Sequence, residues 1–425
     1  MEFPEAARGE SGLVVGLVSG SHFVNHMYLV ILPPLLTVLS DSFAVGLAAL
    51  GAAMGAQALV NTVCQLPYGY LSDTRSRTLV LAVCLGLGTL GVALVALAPS
   101  YEWLLAGQVV VGLGVAGHHP AHFPLLSDAT PEGYRGRAFS VHGFAGNLGF
   151  GAASALTTAV LAAGYSWRHA LGLVAALGGA YGLVVVLALW TRVGDDVTRP
   201  GLVAGRDGAG SGRSRWGRFR ARVGELAGTP AILALAVVAL VSSTAAWGVT
   251  SYAAVLLTST YGVAPDVANL ALTGMFAASA VMILVGGALA DRIAPGPVMV
   301  ASFGLASVVV AVIASEILAP LAAVAAVVLV GAVRSPAAPA RSTLADCISA
   351  RADLGQNFAV VTIGIMLGSA IAPPAFGLLI ERAGYRAAFL GVAGVALVAL
   401  GVTLWVLRRY GSTFDVPGDS VPTDD

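Results

Sequence analysis

Charge is scarce in this chain, and one kind of charged residue is missing altogether. Of 425 residues only 10% are charged, and the 22 basic residues are all arginine, with no lysine among them. A water-soluble protein spends roughly a quarter of its residues on charge to cover its surface. A chain that is 57% hydrophobic, with 53 glycines and a mean hydropathy of +0.86, therefore faces something other than water. It reads as an all-α integral membrane protein. The 22 basic residues meet 22 acidic ones, which leaves no electrostatic footprint for nucleic acid. The missing lysines read as compositional bias and carry no function.

Cysteine is equally sparse. Cys64, Cys84 and Cys347 lie far apart in apolar runs, without the spacing of a disulfide framework or a zinc site, and read as packing residues. No phosphate loop, nucleotide motif or nucleophile–base pair is present. An enzyme, a bound cofactor and an ATP-driven machine are therefore not expected. The N-terminal MEFPEAARGE holds more acid than base, and the apolar run after it is too long for a secretory core. That run is expected to be a membrane span and not a cleaved signal.

What the chain does have is long apolar runs. A hydrocarbon core about 30 Å thick takes on the order of 20 residues of helix. At that length the sequence divides into twelve spans, near 12–38, 44–68, 78–98, 102–126, 138–163, 169–191, 230–258, 265–289, 296–316, 318–343, 355–380 and 386–408. One long interruption, 192–229, contains GLVAGRDGAGSGRSR and reads as a linker. The expected domains are thus an N-terminal six-helix bundle (1–191), the linker (192–229), a C-terminal six-helix bundle (230–410) and a tail (411–425). If both termini are cytoplasmic, every arginine falls on the inner side except Arg168, Arg382 and Arg386 outside, Arg334 within the tenth span, and Arg341 at that span's inner end. This arginine bias places the termini and the linker in the cytoplasm and the protein in the cell membrane. In RWGRFRARVGEL, Trp216, Phe219 and Val223 share one helical face against arginines on the other. The segment suits either a helix lying on anionic lipid or a solvated basic linker.

The two halves are related. GYLSDTRSR after the second span returns as GGALADR after the eighth, Gly69 to Gly287 being 218 residues. GRAFSVHGFAGNLG (136–149) aligns with GQNFAVVTIGIMLG (355–368) at an offset of 219, and AGYSWRHALG (163–172) with AGYRAAFLG (383–391). Three anchors in one order at nearly one offset indicate a duplicated six-helix unit.

The Gly69-x-Leu71-x-Asp73 run with Arg77, repeated at Gly287-x-Leu289-x-Asp291-Arg292, resembles the loop signature of the major facilitator superfamily. SHFVNHMYLVILPPLL, QLPYGYLSD, HHPAHFPLLSDA and GRAFSVHGFAGNLG narrow the resemblance to the fosmidomycin-resistance branch of drug exporters. This implies the major facilitator fold and a gating role for Gly69, Asp73 and Arg77, with Asp291 and Arg292 as the weaker copy. Thr74, Ser76 and Gln108 depart from the family pattern, which implies a weaker lock. In the resembled fold the first, fourth, seventh and tenth helices line a central cavity, with the fifth beside them.

Ionisable residues inside the bilayer are costly and are functional candidates by default. Here they are His22 and His26, His118, His119 and His122, His142, and Arg334. His118, His122 and His142 read equally as interhelical hydrogen-bonding residues. His119 immediately precedes Pro120, whose missing N–H frees a carbonyl one turn back and makes a polar notch. The resembled branch has His-Pro here, an Asn matching Asn147, and His-x-x-Asn-Asp where this chain reads His22-Phe-Val-Asn25-His26. An expected proton-carrying acid has become His26. The substrate and proton pathway is therefore assigned to His22, Asn25, His26, His119, Pro120, Asn147 and Arg334. No metal is expected, because His118 and His122 have no acid or cysteine nearby in sequence.

The expected function is secondary active transport of a small organic compound by alternating access, as proton-coupled efflux from a monomer whose partners are the solute, protons and membrane lipids. Organic-anion uptake by facilitation or symport is the alternative, and a non-transporting sensor or scaffold a third. The topology has a direct check. In a cysteine-free background, Ser166→Cys should react with an impermeant maleimide on intact cells and Thr74→Cys only after permeabilisation; the reverse pattern inverts the protein.

Overall fold

A computed structural model describes residues 9–199, 230–290, 293–347 and 354–410, which are all-helical, without a strand. In the N-terminal half, α1 (Glu10–Leu29) leads through a turn at Pro33–Leu35 into α2 (Leu36–Phe43), and α3 (Leu47–Thr74), α4 (Arg77–Ala96) and α5 (Tyr101–Ala116) follow. Then come α6 (His118–Ala129), α7 (Arg135–Ala162), α8 (Trp167–Arg192) and the short α9 (Asp195–Thr198). The C-terminal half comprises α10 (Pro230–Tyr261), α11 (Pro265–Ala290), α12 (Pro295–Ala314), α13 (Pro320–Arg334), α14 (Ala337–Cys347) and α15 (Leu354–Tyr410).

Among the described residues ten helical segments are long and apolar enough to cross a membrane. Two interruptions explain the difference from the twelve expected spans. Gly117 splits one span into α5 and α6, and α15 is two helices meeting at Gly384, where φ is 84°. Twelve membrane crossings in two bundles result. The first span, α1 and α2, is bent where Pro33 and Pro34 withdraw their backbone donors. Leu59, Val63, Leu66, Leu183, Val184 and Trp190 stand outward as a lipid-facing surface.

The duplication is written into the backbone. Ala44 (φ 52°) ends α2 in the left-handed region, and Gly262 (φ 63°), 218 residues on, does the same after α10. Gly164 and Gly384, from the two AGY copies, take φ of 83° and 84°, a helix-ending conformation that glycine adopts without a Cβ penalty. The break at Gly117 recurs 218 residues later at Ser335, between α13 and α14. Each half therefore has a discontinuous fourth span.

Helices in hydrocarbon gain little from apolar burial against one another, so close approach of small residues carries the packing. Gly114 of α5 lies so near Gly88 of α4 that a Cβ would overlap its backbone, and Gly91 meets Val111 and Gly107 likewise. The two halves meet through α3 against α15 and α7 against α11. Their hydrogen bonds include two from α3 to Met366 Sδ of α15, from Asn61 at 3.7 Å and from Gln65, on the terminal side of mid-helix, at 3.1 Å, and three nearer the end away from the termini. Glu381 Oε1 accepts from the Ala48 N–H at 2.8 Å, Asn269 Nδ2 donates to the Pro34 carbonyl at 3.1 Å, and Thr273 to the Gly151 carbonyl at 3.3 Å. Towards the termini, Gly136 and Gly143 of α7 face open space. The structure is closed at the far end.

The stretch after α8 differs from the expected unpacked linker. Val193, Val197 and Thr198 are buried, so the N-terminal bundle runs on to Thr198, while the rest of the linker, its RWGRFRARVGEL segment and the tail lie outside the described residues. Overpacking a tight helix contact costs about 1–3 kcal/mol. Gly114→Val is expected to lower the melting temperature in detergent, whereas Gly86→Val, with open space beside it on α4, leaves it unchanged.

Candidate functional site

Six of the seven histidines converge on one place in the N-terminal bundle. His22 and His26 lie one turn apart on α1, so they share a face. The break at Gly117 starts α6 with His118 and His119 in its first turn and His122 one turn on. His142, Gly146 and Phe150 follow at fourfold spacing on α7. Gly146 lets the elements meet, because a Cβ there would fall 2.7 Å from His22 Nδ1 and 2.9 Å from His26 Nδ1.

His22 is the centre. Its Nδ1 lies 2.8 Å from the His142 carbonyl, so that nitrogen carries the proton and donates, leaving Nε2 a bare acceptor. Nε2 lies 3.2 Å from His119 Nε2. The His22 ring stacks on His142 at 3.9 Å and 9° and meets the edge of His26 at 4.0 Å. His122 Nε2 bonds Ser21 Oγ at 3.1 Å. His118 and His122 are fully buried; His119 is half-buried.

An aromatic bridge carries the cluster towards the other half. His26 stacks on Phe150 at 4.0 Å, Phe150 stacks on Phe276 of α11 at 5.1 Å, and Phe150 meets Trp247 of α10 edge-on at 6.3 Å. The sequence reading did not single out Phe150 or Phe276. Phe150 follows Gly146 by four residues, a spacing that was visible, but its partner Phe276 was not.

The remaining candidates have separate surroundings. Asn25 is buried beside the histidines, its Oδ1 without a partner among the described residues. Asn147 donates to the Gly143 carbonyl of its own helix at 3.0 Å. Pro120 sits in the first turn of α6, where its missing donor disturbs nothing; the helix is interrupted before it, at Gly117. The carbonyl freed by a proline is that of Pro120 itself, whose partner in the ladder would be Pro124, and Ser72 Oγ takes it at 3.1 Å. The notch thus has a side-chain partner from α3. Arg334 ends α13 at the repeated break, half-buried with its Nε unpartnered, and no hydrogen bond joins it to the histidines among the described residues. On the side of the termini, Asp73 is exposed at the end of α3 and Gly69 faces Pro120. Arg77 is buried, pairs with Asp128 at 2.7 Å, and donates to the Val197 carbonyl at 2.6 Å, holding α9 in place. All of these are contacts within one half. Asp291 and Arg292 lie outside the described residues.

Fold and spans together define a polytopic α-helical membrane protein of two duplicated bundles with a polar cluster buried in the first. The family model of the Major Facilitator Superfamily matches residues 18–256 and 235–420, so the chain belongs to that superfamily, a family of membrane transporters and not of enzymes. Among curated proteins it is 41% identical to the niacin transporter NiaP of Acinetobacter baylyi over 69 residues, 16% of each chain. It is 28% identical to the uncharacterized MFS-type transporter YfnC of Bacillus subtilis over 151 residues, 35% of this chain and 36% of that one. It is 25% identical to protein spinster of Drosophila melanogaster over 157 residues, 37% of this chain and 26% of that one. The chain thus spans well under half the length of each of these relatives. A bacterial homologue of the human lysosomal transporter Spinster, in an inward-facing and occupied conformation, superposes with a TM-score of 0.76 at 17% identity, over 96% of this chain and 99% of that one. Its unoccupied inward-facing form gives 0.75. These likenesses show the fold.

Arg77→Met removes both the ion pair and the anchor of α9. Its expected cost is about 1–3 kcal/mol, less than the loss of a fully buried pair because Asp128 is 45% exposed. A melting temperature equal to that of the wild type would show that α9 is not held by Arg77.

Proposed function

We propose that the protein is a secondary active transporter in the cell membrane that exports a small organic compound by alternating access in exchange for protons. The observation that carries the reading is the histidine cluster, buried beneath a closed far end and linked across the halves through His26, Phe150 and Phe276. A charge taken up at the cluster would act on the contact between the bundles, which alternating access must break and remake. His22, Asn25, His26, His119, Pro120 and Asn147 form the proton and substrate pathway in this reading, and Arg334 approaches the solute from the other half. With the termini cytoplasmic, the closed end is the outer one. Gly69, Asp73 and Arg77, with Asp291 and Arg292, then form the inner gate of the opposite state. The four stretches resembling fosmidomycin-resistance exporters support efflux.

A cluster whose charged form is cationic, with Arg334 in the other half, favours a neutral or anionic solute over a cation. The second reading, uptake of an organic anion, is favoured by the unpartnered Arg334 Nε; the likeness to a niacin transporter agrees with it.

The test is flux in proteoliposomes of a compound found by thermal-shift screening, under an imposed pH gradient. Export coupled to protons predicts accumulation that collapses with a protonophore, and loss of that accumulation in His26→Ala, with gradient-free exchange retained. Flux indifferent to the gradient in wild type and variant alike removes the coupling, and acceptance of solute only from the outer face reverses the direction.

A further inference from the structure

The same imidazoles have a second capability that goes beyond transport. One ring nitrogen each from His22, His26 and His119 lies within 4.8 Å of the others. In a tetrahedral site with metal–nitrogen bonds of about 2.0–2.1 Å, two ligand nitrogens stand about 3.3–3.4 Å apart. The Nε2 atoms of His22 and His119 are 3.2 Å apart. His22 is also prepared as a ligand: a metal-bound histidine normally gives its other N–H to a carbonyl or carboxylate, and His22 Nδ1 donates to the His142 carbonyl at 2.8 Å. His26 Nδ1 has no partner among the described residues. Stacking on Phe150 at 4.0 Å and on Phe123 at 5.4 Å sets the planes of His26 and His119. To reach ligand distance His26 has to rotate towards the other two nitrogens, giving up part of its stacking on Phe150.

We propose that His22, His26 and His119 form a binding site for a divalent transition-metal ion of the zinc class. Imidazole ligands suit zinc, nickel and copper and give calcium or magnesium nothing they prefer. Three protein ligands leave the fourth tetrahedral position open. No carboxylate belongs to the set, so the fourth position takes a small anion, or a water that loses its proton to become hydroxide, and either offsets part of the ion's charge. The ligands come from helices nearly a hundred residues apart in sequence, which is why looking for an acid or cysteine near His118 and His122 in sequence did not find them. In the folded chain His118 takes no part and His122 is turned to Ser21. An ion on these nitrogens and a proton on them exclude each other, so the metal is expected to inhibit transport.

The experiment uses purified full-length protein free of any polyhistidine tag, titrated with cobalt(II) as the spectroscopic probe. The expected result is one cobalt per chain, with the intense visible bands of tetrahedral nitrogen ligation, displaced by zinc(II). His26→Gln and His119→Gln should each weaken binding by more than the 10–100-fold that loss of an outer-shell partner costs. His169→Gln, whose exposed ring bonds Ser166 at the far end, should bind as the wild type does. Size-exclusion profiles identify a variant that fails to fold, and His119, which is only half-buried, is the substitution that tests the site if His26→Gln does so. Absence of saturable binding in the wild type, or binding unchanged in a folded His119→Gln, overturns the proposal. Occupancy is read without flux, so a protein that moves solute but binds no cobalt fails this inference alone, and one that binds cobalt but moves nothing fails the transport reading alone.

Discussion

A hydrocarbon interior offers no hydrogen-bond partner, so the backbone groups in the spans of this protein must be answered by another part of the chain. Helices satisfy the backbone, and where a helix is interrupted the debt passes to a neighbour. The carbonyl of Pro120 shows this in one bond. Pro124 cannot donate to it, and Ser72 of α3 does. The same pressure acts on the histidines, although Asn25 Oδ1 and His26 Nδ1 stay unpartnered among the described residues. Imidazoles that would be solvated in a soluble protein turn to one another, to the His142 carbonyl and to Ser21.

Packing follows from the same solvent. With no hydrophobic gain from moving an apolar side chain out of lipid, helices are held by close contact between small residues. Gly88 against Gly114 brings α4 to α5, and Gly146 makes the hollow into which His22 and His26 fit. A glycine-rich chain with little charge is thus suited to tight bundles whose few polar groups are concentrated inside. The contact between the bundles uses the same device, Gly51 and Gly55 of α3 and Gly377 of α15 bringing backbones together, and adds side chains to it. They are polar at the far end, where Glu381 meets the first turn of α3, and aromatic towards the middle, where Phe150 touches both His26 and Phe276. Such an interface can separate at one end and close at the other without unpacking either bundle.

The buried cluster has a physical consequence whichever ligand it takes. Six imidazoles so close together cannot all be charged, since like charges at 4–6 Å repel strongly in a low dielectric. The cluster therefore has room for one cation or a few, and Phe150 links it to the second half. In the two proposals made above, proton and metal ion compete for the same nitrogens.

Much of the fold was legible in the sequence because a membrane constrains a sequence more tightly than water does. Runs of about 20 apolar residues, a repeat at 218 residues and the AGY pairs gave the spans, the duplication and the positions where the backbone turns left-handed. The sequence by itself also determined which titratable groups lie within the spans, since so few are there. Only the tertiary structure decided how they combine. His22 and His26 could be placed on one face of α1 from their spacing, but their meeting with His119 depends on a helix break at Gly117 and a missing Cβ at Gly146, whose effect exists only when three helices pack. Arg77 is the same case on the terminal side: its motif was plain, yet its partners Asp128 and Val197 come from segments that spacing does not relate to it. Periodicity fixes what a single helix presents; contact between helices is set by side-chain shapes across the gap, and those are read only in three dimensions.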